Sequence, residues 1–133
     1  MAEHEAGSII IGIVDDDDNL REAMEGWLRS VGYAVHTYAS AEDYLWSGAN
    51  RKHACLILDI QMSGMDGLEL QAELNSEGGA PPVIFFTSRD QQQLLERAMA
   101  AGAIGFLTKP LVQDQLLELL RNATGKNFEY LAT

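Results

Sequence analysis

Five short apolar runs, with helical patterns between them, constrain this sequence more than any other feature. The runs are Ile9–Val14, Ala34–Tyr38, Ala54–Leu58, Val83–Phe86 and Ile104–Leu107. Each has the length of a buried strand. Three of them, IIIGIV, CLIL and VIFF, do not alternate apolar with polar residues. Strands of that kind are covered on both faces, as in a parallel sheet packed between helices.

The intervening segments carry the period of a helix. Leu20, Ala23, Met24, Trp27, Leu28 and Val31 fall at i, i+3, i+4, i+7, i+8 and i+11, and Gly32 closes the pattern. Ser40-Ala41-Glu42-Asp43 resembles a capping box opening a short helix through Trp46, itself expected to be half-exposed. Leu68, Leu70 and Leu74 mark a third helix, ended by Gly78-Gly79. Asp90 caps a fourth, with Leu94, Leu95, Ala98 and Met99 inward and Gly102 behind it. Leu116, Leu119, Leu120 and Ala123 mark a fifth. Five βα units joined by right-handed crossovers form a (βα)5 doubly wound α/β fold, one five-stranded parallel sheet with helices on both faces. The chain of 133 residues suits one domain, over 9–124, with an N-terminal tail over 1–8 and a C-terminal tail or start of a linker over 125–133.

Net charge narrows the partners. Twenty acids against 9 bases give −11, which repels phosphate backbones and argues against direct nucleic-acid binding by this chain. No apolar run approaches the roughly 20 residues of a membrane span. The acidic start MAEHEAGS is unlike a signal peptide. Cys55, the only cysteine, excludes an intrachain disulfide and fits a reducing, cytoplasmic setting. Within CLIL it reads as a buried, inert thiol.

The first apolar run ends in four aspartates, IIIGIVDDDDN over 9–19. Ligands of open α/β sheets bind at the carboxyl ends of the strands. Asp15 and Asp16 follow the first strand, Asp59 the third, Thr87 and Ser88 the fourth, and Thr108, Lys109 and Pro110 the fifth. Three carboxylates at one sheet end call for a cation. Their hard oxygens suit Mg²⁺, which takes one or two carboxylates and a phosphate oxygen. Lysine and threonine supply a point charge and a hydrogen-bond donor for a phosphoryl group. A central carboxylate can be the nucleophile, forming an aspartyl phosphate. Asp17 and Asp18 read as the first turn of a helix, favoured by its dipole, and Asp66 as an N-cap before Gly67. His4, His36 and His53 share no metal-ligand spacing. An EF-hand counted from Asp15 fails, with Leu20 at position 6 and Gly26 at position 12.

The motifs IVDD (13–16), LDIQMSGMDG (58–67), FFTS (85–88) and GAIGFLTKP (102–110) resemble, in order and spacing, those of bacterial response-regulator receiver domains. SAEDYL (40–45) and AMAAGAIGFLTKPL (98–111) are similar to the FixJ/NarL-like branch, whose members often carry a helix-turn-helix output domain. The resemblance implies the flavodoxin/CheY-like strand order 2-1-3-4-5. It implies phosphoryl transfer from a sensor histidine kinase to Asp59, with Asp16 and Asp59 binding Mg²⁺ directly, Asp15 through water, and the carbonyl of Gln61 completing the set. Thr87 would hydrogen-bond the phosphoryl group, Lys109 would pair with it, and Phe106 would be the aromatic switch. The Lys109–Pro110 bond would be cis. Gln61 and Arg89 occupy positions that tune dephosphorylation, and Ser88 is small enough to admit the phosphate. The fourth helix, fifth strand and fifth helix would form the output face and a possible homodimer contact. Transcription would be regulated through a separate DNA-binding domain; the alternative is a stand-alone receiver acting by protein–protein contact. One departure stands out: the family usually has proline where this chain has Ser63, which implies a looser loop and an altered reaction. A Mg²⁺ phosphatase of the haloacid-dehalogenase type fits less well, since its DxD nucleophile lies on the first strand and Asp59 is followed by Ile60-Gln61.

Overall fold

A computed structural model describes residues 9–48, 53–88 and 92–125. The strands are β1 (Ile10–Val14), β2 (Ala34–Tyr38), β3 (Cys55–Leu58), β4 (Val83–Thr87) and β5 (Gly105–Thr108). The helices are α1 (Asp18–Ser30), α2 (Ala41–Ser47), α3 (Gly67–Ser76), α4 (Gln92–Ala100) and α5 (Gln113–Thr124). They alternate, and the strands form one sheet in the order β2-β1-β3-β4-β5. All neighbours are parallel.

The absence of alternation in the strands has its cause in two cores. Side chains of successive residues point to opposite faces. Val14, Leu56, Leu58 and Phe85 face one way and pack with Tyr44, Leu70, Leu74 and Leu95 of α2, α3 and α4. Ile11, Ile13, Ile57, Ile84 and Phe86 face the other way and pack with Met24, Leu28, Leu116 and Leu120 of α1 and α5. Cys55 belongs to the second core and is fully buried, and burial pushes its thiol up to about 12. Each large side chain buried this way contributes about 1.5–3 kcal/mol.

Register sets the level of the strand ends. Val14 pairs with Tyr38 on one side and Leu58 on the other. Leu58 pairs with Phe85, and Thr87 with Thr108. Asp15 and Asp59 therefore leave adjacent strands at one level, and the Asp59 amide donates to the Val14 carbonyl at 3.1 Å. Thr87 and Lys109 follow on the next two strands.

Three helix starts carry side-chain caps, whereas Val112 before α5 makes none. Asp17 caps α1 by accepting from the Leu20 amide, and Asp18 pairs with Arg21 at 2.6 Å. Ser40 accepts from the Asp43 amide, which is one half of a capping box. The complete, reciprocal box is made by Asp66 and Glu69 at α3.

Several expectations need correction. Met99 is 41% exposed rather than inward, because Ala98 already faces the core and the next residue lies about 100° round the helix. Ile104 is 39% exposed and precedes β5 instead of opening it. Ala23 is exposed on α1, and Trp46 is exposed at 91% rather than half. The expected cap Asp90, the tail over 1–8 and, apart from the α5 cap Gly125, the tail over 125–133 lie outside the described residues. Among the described residues, no helix is long and apolar enough to cross a membrane.

Candidate functional site

Three carboxylates meet where β1 and β3 end. Asp15, Asp16 and Asp59 each offer an oxygen, and these atoms lie within 4.8 Å of one another. Asp15 and Asp59 are buried, while Asp16 is exposed. Lys109, carried in by β5, places its Nζ 3.2 Å from Asp59 Oδ2 and 3.5 Å from Asp15 Oδ2. The same Nζ stands 5.4 Å from the centroid of the Phe86 ring. The peptide bond from Lys109 to Pro110 is cis.

Backbone donors hold the carboxylates from below. The Asp17 amide donates to Asp15 Oδ1 at 2.9 Å, and the Gln61 amide donates to Asp59 Oδ1 at 3.2 Å. The Ser63 amide donates to Asp16 Oδ2 at 3.3 Å. A proline has no such donor, so at this point the loop is tied to β1 rather than freed. Arg21 fixes the turn after β1 by donating from Nη1 to the Asp15 carbonyl at 2.6 Å. Gly67 lets α3 start against the chain at Asp59: a Cβ there would collide with the Asp59 carbonyl oxygen and lie 2.9 Å from the Ile60 Cα.

The electrostatics follow from crowding. Burial first, and then the charge of Asp15, pushes the Asp59 carboxyl up to about 6, although Lys109 and the Gln61 amide pull the other way. Burial raises Asp15 as well, against the Asp17 amide and Lys109. For Lys109, burial alone would lower the ammonium, but the charges of Asp59 and Asp15 outweigh it and hold it above the usual lysine range. Three carboxylates against one ammonium leave an excess of negative charge at a site made of hard oxygens. That donor set fits a divalent cation such as Mg²⁺.

Thr87 is fully buried, and among the described residues its Oγ1 finds no hydrogen-bond partner. A buried, orphaned hydroxyl costs about 1–3 kcal/mol, which is an indication that a ligand satisfies it. Ser88 beside it is half-buried. Phe106, expected as a switch, is 39% exposed on β5 and shares a surface cavity of about 370 Å³ with Leu95, Glu96 and Met99. A larger groove of about 750 Å³ runs between β5 and α5, lined by Phe106, Lys109, Val112, Leu119 and others. Gln61 is exposed beside Asp59; Arg89 lies outside the described residues.

The structure thus brings together Asp15, Asp16, Asp59 and Lys109 as the strand ends suggest. Two contributors carried no sequence signal. The Ser63 contact is made by a backbone amide, which no residue pattern advertises. Glu42 reaches across from α2 to accept the Met65 amide at 2.9 Å, a contact between segments 23 residues apart. His53, dismissed for lack of spacing, is buried between two tyrosines, with Tyr44 Oη 3.3 Å from Nδ1 and Tyr38 Oη 3.4 Å from Nε2. It sits away from the acidic cluster, against Gly12 in β1.

The chain resembles known proteins in sequence and fold. Residues 11–121 match the family model described as "Response regulator receiver domain". The chain is 36% identical over 114 residues to the response regulator protein TodT of Pseudomonas putida, covering 86% of this chain and 50% of TodT. It is 35% identical over 122 residues to the transcriptional regulatory protein FixJ of Azorhizobium caulinodans, covering 92% of this chain and 58% of FixJ. A solved structure of a response regulator receiver protein from Burkholderia phymatum superposes with a TM-score of 0.77 at 38% identity, covering 90% of this chain and 97% of that one. The chain spans about half the length of the curated relatives it matches.

Proposed function

The chain belongs to the response-regulator receiver family of two-component systems, and on that premise we propose that it is a phosphorylation switch whose acceptor is Asp59. A sensor histidine kinase is the proposed donor. The Asp59 carboxylate attacks the phosphorus, the bond from phosphorus to the donor nitrogen breaks, and an acyl phosphate forms on Asp59. The domain catalyses its own phosphorylation and dephosphorylation and turns over no other substrate. The single observation that carries this reading is the buried Thr87 hydroxyl, unpartnered among the described residues, at the same sheet end as a Lys109–Asp59 ion pair.

Asp16, Asp59 and the Gln61 carbonyl would hold Mg²⁺, with Asp15 acting through water. When bound, Mg²⁺ neutralises charge on the phosphoryl oxygens and on the crowded carboxylates. Lys109 is already on Asp59 and follows the charge as it moves to the phosphoryl oxygens. The Thr87 hydroxyl donates to one of those oxygens, Ser88 leaves room for them, and Gln61 and Arg89 tune autodephosphorylation. Movement of Thr87 toward the phosphate vacates space into which Phe106 turns. That changes the face made by α4, β5 and α5, where Met99, Phe106 and Val112 are exposed. This face is the proposed output surface and homodimer contact. The charge of −11 argues against DNA contact by this chain, so the proposed output, regulation of transcription in the cytoplasm, would act through a separate DNA-binding domain.

Beryllofluoride with Mg²⁺ tests the reading. The expected result is one bound beryllofluoride by ¹⁹F NMR, absent in Asp59→Ala, with a rise in mass by light scattering. Absence of the bound signal in the folded wild type contradicts the acceptor assignment. An unchanged mass with the signal present contradicts the dimer alone.

A further inference from the structure

The four aspartates after β1 divide their work. Asp15 accepts the Asp17 amide on Oδ1 at 2.9 Å, Asp17 accepts the Leu20 amide at the start of α1, and Asp18 pairs with Arg21 at 2.6 Å. Asp16 takes no part in these three contacts. It is exposed, whereas Asp15 and Asp59 are buried, so packing does not set where its carboxylate points. Its direction depends on the backbone that carries it.

That backbone is held on both sides of Asp15. The Asp15 amide donates to the Tyr38 carbonyl at 3.2 Å. The Asp15 carbonyl accepts from Arg21 Nη1 at 2.6 Å, while Nη2 of the same guanidinium holds Asp18 Oδ1 at 2.6 Å. The Arg21 side chain is 14% exposed, so its head is packed within the turn instead of standing in solvent. A peptide group is planar, and fixing the Asp15 carbonyl fixes the plane from which Asp16 starts. A guanidinium suits the task, because its rigid fork holds a carbonyl and a carboxylate at once. Its charge is a drawback at this place, since it repels a metal cation at the neighbouring carboxylates.

We propose that Arg21 is a positioning residue for the metal site, directing Asp16 through the Asp15 carbonyl, and that this effect outweighs the repulsion between its charge and the metal. Arg21 has this role on the reading of Asp15, Asp16 and Asp59 as a Mg²⁺ site. Outer contacts that orient metal ligands commonly contribute about 10–100-fold in affinity. The two effects of Arg21 have opposite signs, so the affinity for Mg²⁺ separates them. Loss of positioning weakens binding; loss of the charge alone tightens it.

Calorimetric titration of the whole chain with Mg²⁺ tests the assignment, with thermal melts identifying the variants that fold. Arg21→Gln, Arg21→Met and Arg21→Ala all remove the charge and the fork, so any one of them that folds decides the sign. Each is expected to bind Mg²⁺ at least about threefold more weakly than the wild type, the net of the positioning loss and the relieved repulsion. Arg21→Lys keeps the charge and a donor on a shorter stem, and is expected to bind more tightly than Arg21→Gln although it carries the extra positive charge. Folded neutral variants that bind as tightly as the wild type, or more tightly, overturn the proposal. So does Arg21→Lys binding more weakly than a folded Arg21→Gln. Failure of all three neutral variants to fold makes Arg21 a residue of the fold and overturns it as well. Absence of Mg²⁺ binding by the wild type overturns the metal site itself, whatever the variants do.

Discussion

Thr87 and Asp59 both sit in the fold at a cost, and the cost is measurable one residue at a time. The Thr87 hydroxyl is buried and has no partner among the described residues. Thr87→Val exchanges it for a methyl group of nearly the same shape. Without phosphate, chemical denaturation is expected to show the variant more stable by about 1 kcal/mol, whereas a structural role for the hydroxyl would make it less stable. Asp59 carries a carboxyl raised to about 6, chiefly by burial. The unfolded chain therefore gives up that proton more readily than the fold does, and the ionised carboxylate costs stability as pH rises through about 6. In the absence of metal, Asp59→Asn is expected to be more stable than the wild type by about 1–2 kcal/mol near neutral pH. The gap should close below about pH 4, where the unfolded carboxyl is protonated as well. A gap that persists at low pH contradicts the assignment of the cost to charge. The site's acids were legible as residues because the strand ends select them. The amide of Ser63 was not, because a backbone donor leaves no trace in the sequence.

Elements matter here by where they begin. The capping box of Asp66 and Glu69 starts α3 immediately after the loop that carries the site. Gly67 lets that start lie against the backbone at Asp59 and Ile60, and its amide donates to the Ile60 carbonyl at 2.8 Å. Gly67→Ala would push backbone against backbone, with no flexible side chain to give way. We expect it to destabilise by about 1–3 kcal/mol and to displace Asp59, read as a lower melting temperature together with weaker Mg²⁺ binding. A fully stable variant with intact binding contradicts the close approach. The elements themselves were legible from periodicity: three of the five strands lack polar alternation, and both faces of the sheet proved to be covered. Boundaries were less so. Ile104 reads as strand by composition, yet β5 begins at Gly105, where a Cβ would press against Leu119 of α5 at 3.0 Å. Met99 reads as core by its chemistry, but the small Ala98 occupies the buried position.

For the molecule as a whole, a buried histidine and two buried aspartates pull the acid stability in opposite directions. Burial, and then the nearby His36, lowers His53 to about 4. The groups around it are the hydroxyls of Tyr38 and Tyr44 and the His36 ring, 5.5 Å away between centroids. A depressed histidine keeps the fold fully stable above its unfolded pKa of about 6.5 and loses that contribution as pH falls toward about 4. Asp59 and Asp15, raised, act in the opposite sense over the acid range. The difference between the wild type and His53→Phe isolates the histidine. The variant is expected to be less stable near neutral pH, since it leaves the tyrosine hydroxyls unpaired, and to lose less than the wild type between about pH 6.5 and 4. Parallel pH profiles contradict a neutral, buried His53. This cluster was invisible in the sequence because it joins β2, α2 and the chain entering β3, and only the fold brings them together. The central claim is that the converging strand ends exist to carry a phosphoryl group on Asp59. Its most direct test is the intact mass of the protein after incubation with acetyl phosphate and Mg²⁺, beside Asp59→Ala. The account predicts one phosphoryl adduct, labile to hydroxylamine, that disappears in the variant and in the absence of Mg²⁺; an adduct that survives in Asp59→Ala, or none in a folded wild type that binds Mg²⁺, contradicts it.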